Sequence, residues 1–246
     1  MRLRHLPGPV CFASLLLWLA AAGPADEWPC FQHDPCHTGA TSNAPALPLK
    51  VLWESQVGWS TSQAAAVGGK LYLGRWKGDV ICLDQKSGRL EWSFNTSGPV
   101  LFSACVAAGR VMIGSEDTHL YCLSISGQEL WKFKTQGAIW SSPVAAEGLV
   151  FFGSKDGKLY AVRATDGHKA WEYDFGSPVW SSPAYHQRLV FCGSKHGRFA
   201  ALEARTGRPV WTFQTYGWMV NNSPSIADGR VFIASLPVSY THLTLP

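Results

Sequence analysis

The sequence predicts an all-β protein, a β-propeller of four-stranded blades. Five tryptophans recur at intervals of 39, 39, 40 and 40 residues: Trp53, Trp92, Trp131, Trp171 and Trp211. A fixed period in this range indicates a repeat architecture. Each period holds four short apolar or alternating segments divided by turn residues, and no segment has helical periodicity. Four strands in a period of this length are typical of a propeller blade, whereas a β-solenoid, the main alternative, normally has shorter coils.

Each period has the same internal order of strands and turns. A second strand ends at a glycine, as Val150-Phe-Phe does at Gly153, and a third apolar segment follows, as in Leu159-Tyr-Ala-Val. Another glycine lies four residues before the tryptophan, in a turn that needs the positive φ that glycine tolerates. Four complete blades and part of a fifth are therefore predicted: 60–98, 99–137, 138–177, 178–217 and a fifth from Trp218.

The composition narrows the classes of function. With 46% hydrophobic and 13% aromatic residues, the chain can bury a sizeable core, which excludes disorder as its main state. The formal net charge is only +4, whereas phosphate recognition needs concentrated positive charge. No nucleic-acid partner is therefore predicted. No apolar run reaches the roughly 18–20 residues that span a bilayer, so no transmembrane segment is predicted.

The N-terminus has the layout of a secretory signal peptide. Arg2 and Arg4 precede an apolar run over 10–22, and small residues follow up to Ala25. This pattern predicts a signal peptide over 1–25 and a protein exported to the periplasm or the extracellular space. A buried N-terminal helix is the alternative. Neither Cys11 nor Cys30 directly follows a small-residue box, so no lipid anchor is predicted.

The remaining chain divides into an N-terminal arm, the repeats and a short tail. The arm covers 26–50 and the propeller repeats cover 51–237, where the repeat pattern stops. Residues 238–246 resemble the translation of a transposase adapter used to prepare sequencing libraries. We therefore expect a non-native tail on a truncated chain, with an ordinary edge strand as the alternative.

The repeat resembles a known family. Two segments are similar to the tryptophan-docking repeat of pyrroloquinoline-quinone-like (PQQ-like) β-propellers. They are Val80-Ile-Cys-Leu-Asp-Gln-Lys-Ser-Gly-Arg-Leu-Glu-Trp92 and its counterpart ending at Trp211. Trp28-Pro-Cys-Phe-Gln-His-Asp-Pro-Cys-His-Thr-Gly39 is similar to the segment that opens the mature chain of exported members. The resemblance implies that the five repeated tryptophans pack between neighbouring blades. It also implies an intact ring of seven or eight blades.

A ligand-binding funnel is the main candidate site. Trp140 and Trp180 open the innermost strands of two adjacent blades, so both are predicted near the mouth of the central channel. The hairpins on the same face carry basic side chains, among them Lys155, Lys195, His196 and Arg198. Together they are expected to accept an anionic or aromatic ligand, or an acidic loop of a partner. The alternative is that the tryptophans pack blade against blade under a solvated basic rim.

The cysteines suggest a disulfide in the arm. Cys30 and Cys36 are close enough in sequence to pair, and export implies an oxidising compartment. A metal site formed by these two cysteines with His33 and His37 is an alternative, although its spacing matches no closed zinc site. The remaining cysteines are expected to be small buried residues: Cys82, Cys105, Cys122 and Cys192.

Two functions follow, from different classes. The first is an exported, non-catalytic scaffold or sensor that binds another protein, including peripheral association with a complex of the cell envelope. It needs no cofactor and assigns no catalytic residue or metal. The second, which the resemblance implies, is a fragment of a quinoprotein dehydrogenase that uses PQQ and calcium. No adjacent cysteines and none of the carboxylate motifs of that class are matched in this sequence.

Overall fold

The chain folds into successive antiparallel sheets, and the prediction of an all-β propeller fold is confirmed. The computed structural model describes residues 14–18, 27–40, 50–215, 223–235 and 239–244. Most of the predicted signal peptide and the start of the fifth blade at Trp218 lie outside these ranges. Within the described ranges, no helix is long and apolar enough to cross a membrane.

Two strands precede the first blade, and one of them belongs to the predicted leader. β1 (Ser14–Trp18) pairs antiparallel with β2 (Val51–Gln56). Cleavage after Ala25, which stays a prediction, removes β1 and leaves that edge of β2 without it.

Four complete blades follow β2, each with four strands in simple sequential order. Blade 1 contains β3 (Ala65–Val67), β4 (Lys70–Gly74), β5 (Asp79–Asp84) and β6 (Leu90–Asn95). Blade 2 contains β7 (Cys105–Ala107), β8 (Arg110–Gly114), β9 (His119–Ser124) and β10 (Glu129–Lys134). Blade 3 contains β11 (Val144–Ala146), β12 (Leu149–Gly153), β13 (Lys158–Arg163) and β14 (Lys169–Asp174). Blade 4 contains β15 (Ala184–His186), β16 (Leu189–Gly193), β17 (Arg198–Glu203) and β18 (Pro209–Gln214).

A fifth, three-stranded sheet ends the described chain. Blade 5 contains β19 (Ser225–Ala227), β20 (Arg230–Ser235) and β21 (Ser239–Thr244). β21 pairs antiparallel with β20, so the backbone of the tail forms an edge strand, as the alternative interpretation expects. The adapter origin of residues 238–246 stays a prediction.

The burial of each strand follows from its place in the blade. In the four complete blades, the second and third strands are buried on both faces because neighbouring segments cover them, and they are mostly apolar, as in Asp79–Asp84. The outer strand alternates between exposed and half-buried positions, as in Leu90–Asn95. The hydrophobic clusters each join residues of adjacent blades, for example Phe151 and Trp171 of blade 3 with Val190 of blade 4. The core therefore lies between the blades.

The repeated tryptophans dock onto the next blade. The indole N–H of Trp171 donates to the carbonyl of Ala204 at 2.8 Å, and the ring lies against Gly207. A Cβ on Gly207 would lie 2.6 Å from Cδ2 of that ring. The same pairs recur around the blades, with the indole N–H bound to a carbonyl of the next hairpin: Trp53 to Gln85, Trp92 to Ile125, and Trp131 to Ala164.

A β-bulge accompanies the docking tryptophans of the complete blades. In blade 3, Ala161 pairs with Trp171 while Val162 pairs with Lys169, so Ala170 is an extra residue in the outer strand. Equivalent register shifts precede Trp92, Trp131 and Trp211. A bulge bends its strand and turns the following side chain. The bulge therefore aims each tryptophan at the neighbouring blade.

The N-terminal arm crosses the inner strands of several blades. Trp28 exchanges two backbone hydrogen bonds with Ala66 of blade 1, at 2.7 and 2.8 Å. Farther along, arm carbonyls accept N–H bonds from three other blades: Pro29 from Val106 at 2.6 Å, Pro35 from Tyr185 at 2.7 Å and Cys36 from Ile226 at 2.8 Å. Because inner strands line the channel of a propeller, the arm occupies the channel.

Candidate binding cleft at the channel mouth

A cleft of about 430 Å³ lies where the inner strands begin. Phe31 of the arm contributes to its lining, as do Trp140 and Trp180 and the exposed Trp76 of the first blade. Serine side chains supply much of its polar lining: Ser103, Ser142, Ser182 and Ser223. We refer to this cavity as the mouth cleft. It has apolar walls with a few convergent polar groups, which is the usual character of a ligand site.

An aromatic row forms one wall of the mouth cleft, and two lysines stack on its tryptophans. The ring centres of Trp140 and Trp180 are 5.5 Å apart and those of Phe102 and Trp140 are 6.5 Å apart. Nζ of Lys155 lies 3.6 Å from the centre of the Trp140 ring, and Nζ of Lys195 lies 4.7 Å from that of Trp180. Both are cation–π distances. The structure therefore brings together four of the residues that the sequence placed in the funnel.

The two indole N–H groups of this row have different surroundings. Nε1 of Trp140 donates to Oε1 of Glu116, on the hairpin of the preceding blade, at 2.6 Å. The equivalent hairpin position next to Trp180 is Lys155, which has no acceptor atom. Nε1 of Trp180 is covered and has no hydrogen-bond partner among the described residues. An unsatisfied buried donor costs about 1–3 kcal/mol, so a ligand that brings an acceptor to this point gains stability.

A ladder of serine hydroxyls ties the blades together at the mouth. The backbone N–H of Ser103 donates to Oγ of Ser142 at 3.0 Å, and the N–H of Ser142 donates to Oγ of Ser182 at 2.9 Å. The same bond joins Gln63 to Ser103 and Ser182 to Ser223. Trp140 and Trp180 each lie two residues before a ladder serine, so the ladder fixes their separation. Sequence reasoning missed this role, although serines spaced by 39–41 residues were visible in the repeat.

The described contacts of Arg198 and His196 lie away from the aromatic row. The guanidinium of Arg198 lies 5.6 Å from the ring centre of Tyr173, on the outer strand of blade 3, and donates to its hydroxyl at 3.0 Å. His196 is exposed on its hairpin, where its backbone N–H donates to Ser177 and its carbonyl accepts from Gln214. Among the described contacts, Arg198 therefore lies against Tyr173, and the place of both residues in the funnel stays a prediction.

Other basic groups of these hairpins pair within their own blade. Arg75 forms an ion pair with the buried Asp79 and also donates to the carbonyl of Val57. Lys158 bonds Glu172 at 2.5 Å. These charges are partly compensated inside the blade, whereas Lys155 and Lys195 stack on the aromatic row.

The cysteines of the arm contact different blades, so the predicted Cys30–Cys36 disulfide is absent from the structure. Both cysteines are free thiols. Cys30 packs with Cys105 of blade 2, whereas the thiol of Cys36 donates to the carbonyl of Tyr185 at 3.3 Å and lies 3.4 Å from Nδ1 of His186, both in blade 4. The arm spans the channel between the two cysteines, and this separates them. Their four-residue metal site with His33 and His37 is not formed either, since His37 faces Pro224.

His37 anchors the far end of the arm. Its side chain is 2% exposed, and Nδ1–H donates to the carbonyl of Pro224 at 2.9 Å. Burial lowers the pKa of His37 from its usual 6.5 to about 4. The unfolded chain therefore takes up this proton at a higher pH than the folded chain does.

Acid is therefore expected to destabilise the folded protein through His37. The contribution of neutral His37 is complete above pH 6.5 and is lost as the pH falls towards 4, and its full loss is about 3 kcal/mol of unfolding free energy. Denaturant unfolding between pH 4 and 7.5 measures the loss. His37→Gln keeps a donor but cannot titrate, so its unfolding free energy should fall less over this range. An identical pH slope in both proteins would contradict the assignment.

The sequence profile of the family described as outer membrane protein assembly factor BamB matches residues 50–125, 96–183 and 174–238, well over half of the chain. The chain belongs to this BamB family. No curated protein sequence matches it significantly.

Solved structures share this BamB-like fold across different activities. BamB from Moraxella catarrhalis aligns with a TM-score of 0.72 and 18% identity, over 94% of this chain and 71% of its own. Quinohemoprotein alcohol dehydrogenase ADHIIG from Pseudomonas putida HK5 aligns with a TM-score of 0.73 and 17% identity, over 89% of this chain and 46% of its own. At such identities the likeness establishes the fold, and the fold is shared by an assembly factor and an enzyme.

The described residues do not assemble the calcium site that the dehydrogenase hypothesis requires. Calcium takes six to eight oxygen ligands, among them carboxylates. No three histidine, cysteine, aspartate or glutamate side chains in the described part of the chain lie close enough together to hold a metal ion. Glu116, the carboxylate beside the aromatic row, is bound to the indole of Trp140.

Proposed function

We propose that this BamB-like chain is an exported, non-catalytic propeller whose mouth cleft binds a segment of another protein. The observation that carries the proposal is the pair of lysine–tryptophan stacks at the mouth, Lys155 on Trp140 and Lys195 on Trp180. The arm fills the channel below them, and its Phe31 forms part of the cleft. A ligand therefore meets a shallow, aromatic and cationic surface at one end of the propeller.

The chemistry of the mouth cleft favours an acidic segment that also carries an aromatic or aliphatic side chain. Carboxylates would pair with the ammonium groups of Lys155 and Lys195 while an apolar side chain covers the tryptophan faces. A carboxylate or carbonyl oxygen would also give Nε1 of Trp180 the acceptor that it lacks among the described residues. Tryptophan is enriched among the residues that dominate binding energy at protein interfaces.

The family supports a partner in the cell envelope. The matching family is described as an outer membrane protein assembly factor, and the N-terminal pattern of this chain is that of a secretory signal peptide. We therefore place the protein outside the cytoplasm, in peripheral contact with an envelope complex.

Charge reversal at the mouth tests the proposal. The probe is a fluorescein-labelled peptide of Asp and Glu residues around one Phe, and fluorescence anisotropy measures its Kd. Lys155→Glu combined with Lys195→Glu is expected to weaken binding by about tenfold or more. The matched control combines Lys50→Glu with Lys86→Glu, two exposed lysines away from the cleft, and should bind nearly as well as the unmodified protein. Equal loss in both double variants would point to net charge alone and would overturn the proposal.

Trp180→Ala separates binding from folding. If Trp180 is a contact for the partner, its removal should weaken binding of the same peptide by about 30-fold, while the unfolding free energy changes less than it does for a docking tryptophan. The two measurements are peptide anisotropy and denaturant unfolding. A large loss of stability with unchanged affinity would show that Trp180 packs blade against blade and has no binding role.

A further inference from the structure

The arm and the second blade bring two buried thiols into contact. Cys30 is 4% exposed and Cys105 is 3% exposed, and both belong to one hydrophobic cluster. The thiol of Cys30 donates to the carbonyl of His33 at 3.6 Å, and the Cys105 thiol is close enough to raise the pKa of Cys30. These residues are 75 positions apart in the sequence, and only the crossing of the arm over blade 2 brings them together.

A backbone hydrogen bond joins the arm to β7 directly beside the two cysteines. The N–H of Val106 donates to the carbonyl of Pro29 at 2.6 Å, so the residues next to Cys105 and Cys30 are hydrogen-bonded to each other. Paired strands lie about 4.7–4.9 Å apart, and a disulfide needs a Cα separation of about 4.4–6.8 Å. We therefore expect Cys30 and Cys105 to lie within the range that a disulfide requires.

We propose that Cys30 and Cys105 form a disulfide that locks the arm into the channel. The proposal rests on export, which is part of the proposed function, because disulfides persist in oxidising compartments. Cys36 remains a thiol in this scheme, since it is held by Tyr185 and His186 on blade 4.

The oxidation requires an acceptor, which is a disulfide-containing oxidant. The thiolate of one cysteine attacks a sulfur of the oxidant, breaks its S–S bond and releases one thiol. The second cysteine then attacks the protein sulfur of the mixed disulfide and releases the second thiol. The two protein sulfurs lose two electrons and two protons in total, and the oxidant gains both as two thiols.

Burial decides when this reaction takes place. The neighbouring Cys105 thiol and desolvation both raise the pKa of Cys30, so its thiolate is disfavoured while the arm is docked. Exchange therefore proceeds while the arm is still leaving or entering the channel, as it does during folding. Once the bond has formed, the same burial protects it from thiol reductants.

Peptide mapping of the purified full chain tests the assignment. The protein is refolded with oxidised glutathione, the free thiols are alkylated, and the non-reduced digest is analysed by mass spectrometry. The expected product is a peptide pair joining Cys30 to Cys105 that is lighter than the two free peptides by two hydrogen atoms, with Cys36 alkylated. The same pair should appear in Cys36→Ser and be missing from Cys30→Ser. A Cys30–Cys36 link, or alkylated Cys30 and Cys105 after oxidation, would overturn the proposal.

A second readout keeps the test informative if one variant folds poorly. The Tm of the oxidised Cys36→Ser protein should be higher than that of the same protein after reduction, because the bond constrains the unfolded chain. Equal Tm values for the two forms of Cys36→Ser would contradict a link between arm and blade. Both readouts use purified protein. Their results therefore do not depend on whether the chain is exported or binds the acidic peptide.

Discussion

Replacing Trp171 by alanine is expected to lower the free energy of unfolding by about 3–5 kcal/mol, the usual effect of emptying a large aromatic site. The side chain is 8% exposed, and its ring centre lies 5.7 Å from that of Phe151. The substitution also removes the donor to the carbonyl of Ala204 and opens the contact with Gly207, so the junction between blades 3 and 4 loses both its packing and its hydrogen bond.

Denaturant unfolding of Trp171→Ala beside Trp59→Ala measures this effect. Trp59 is 60% exposed, so its removal should change the unfolding free energy by no more than about 0.5 kcal/mol. The comparison controls for loss of a tryptophan as such. Unchanged stability in Trp171→Ala would contradict the docking role that the structure gives to the repeated tryptophans.

Gly207→Ala is the second substitution with a large expected effect, about 2–5 kcal/mol of lost stability. Gly207 has a φ of +71°, where an L side chain costs about 1–2 kcal/mol. The new Cβ would also lie 2.6 Å from Cδ2 of Trp171, and forcing atoms into a packed site costs about 1–3 kcal/mol more.

Gly176→Ala is the matched control for the backbone term. Gly176 has nearly the same φ, +70°, but a Cβ there would meet nothing within 4 Å. Its loss of stability should stay near the backbone term alone, about 1–2 kcal/mol. The difference between the two variants in denaturant unfolding therefore isolates the clash with Trp171. Equal losses would mean that the indole moves aside at little cost, contrary to a tightly docked ring.

The blades were predictable because their sequence requirements are local and repeated. Each blade needs apolar second and third strands, a glycine in the last turn and a tryptophan four residues later. Gly167 shows why the spacing is strict, since it both turns the chain at a φ of +73° and receives the Trp131 ring of the preceding blade. Because one glycine meets both requirements, its position relative to the tryptophan is fixed in each repeat and can be recognised in the sequence.

The path of the arm could not be predicted in the same way. Its main contacts are backbone hydrogen bonds, such as those from Val106 and Tyr185 to proline carbonyls, and these have no side-chain signature. The proximity of Cys30 and Cys36 in the sequence therefore suggested a pair that the arm's course separates. The contact between Cys30 and Cys105 depends on the tertiary structure.

The candidate site was predictable in part. Trp140 and Trp180 follow the inner-strand register, so their proximity could be inferred from the repeat. The sequence assigns the basic residues to hairpins, but it does not show in which direction each side chain points. Lys195 stacks on Trp180, whereas Arg198, three residues later, begins β17 and reaches the outer strand of the previous blade. The contact that each side chain makes depends on the side of the hairpin on which it lies and on the aromatic ring nearest to it.

Parallel titrations of one protein sample test the central claim, that the mouth cleft is a protein-binding surface, most directly. The acidic Phe-containing peptide is titrated by anisotropy, and PQQ with calcium is titrated by quenching of tryptophan fluorescence, with dye reduction by alcohols as the activity readout. The account predicts saturable peptide binding that Lys155→Glu with Lys195→Glu weakens about tenfold or more, with no saturable PQQ quenching. Calcium-dependent, saturable PQQ binding with dye reduction, and no peptide binding, would contradict it.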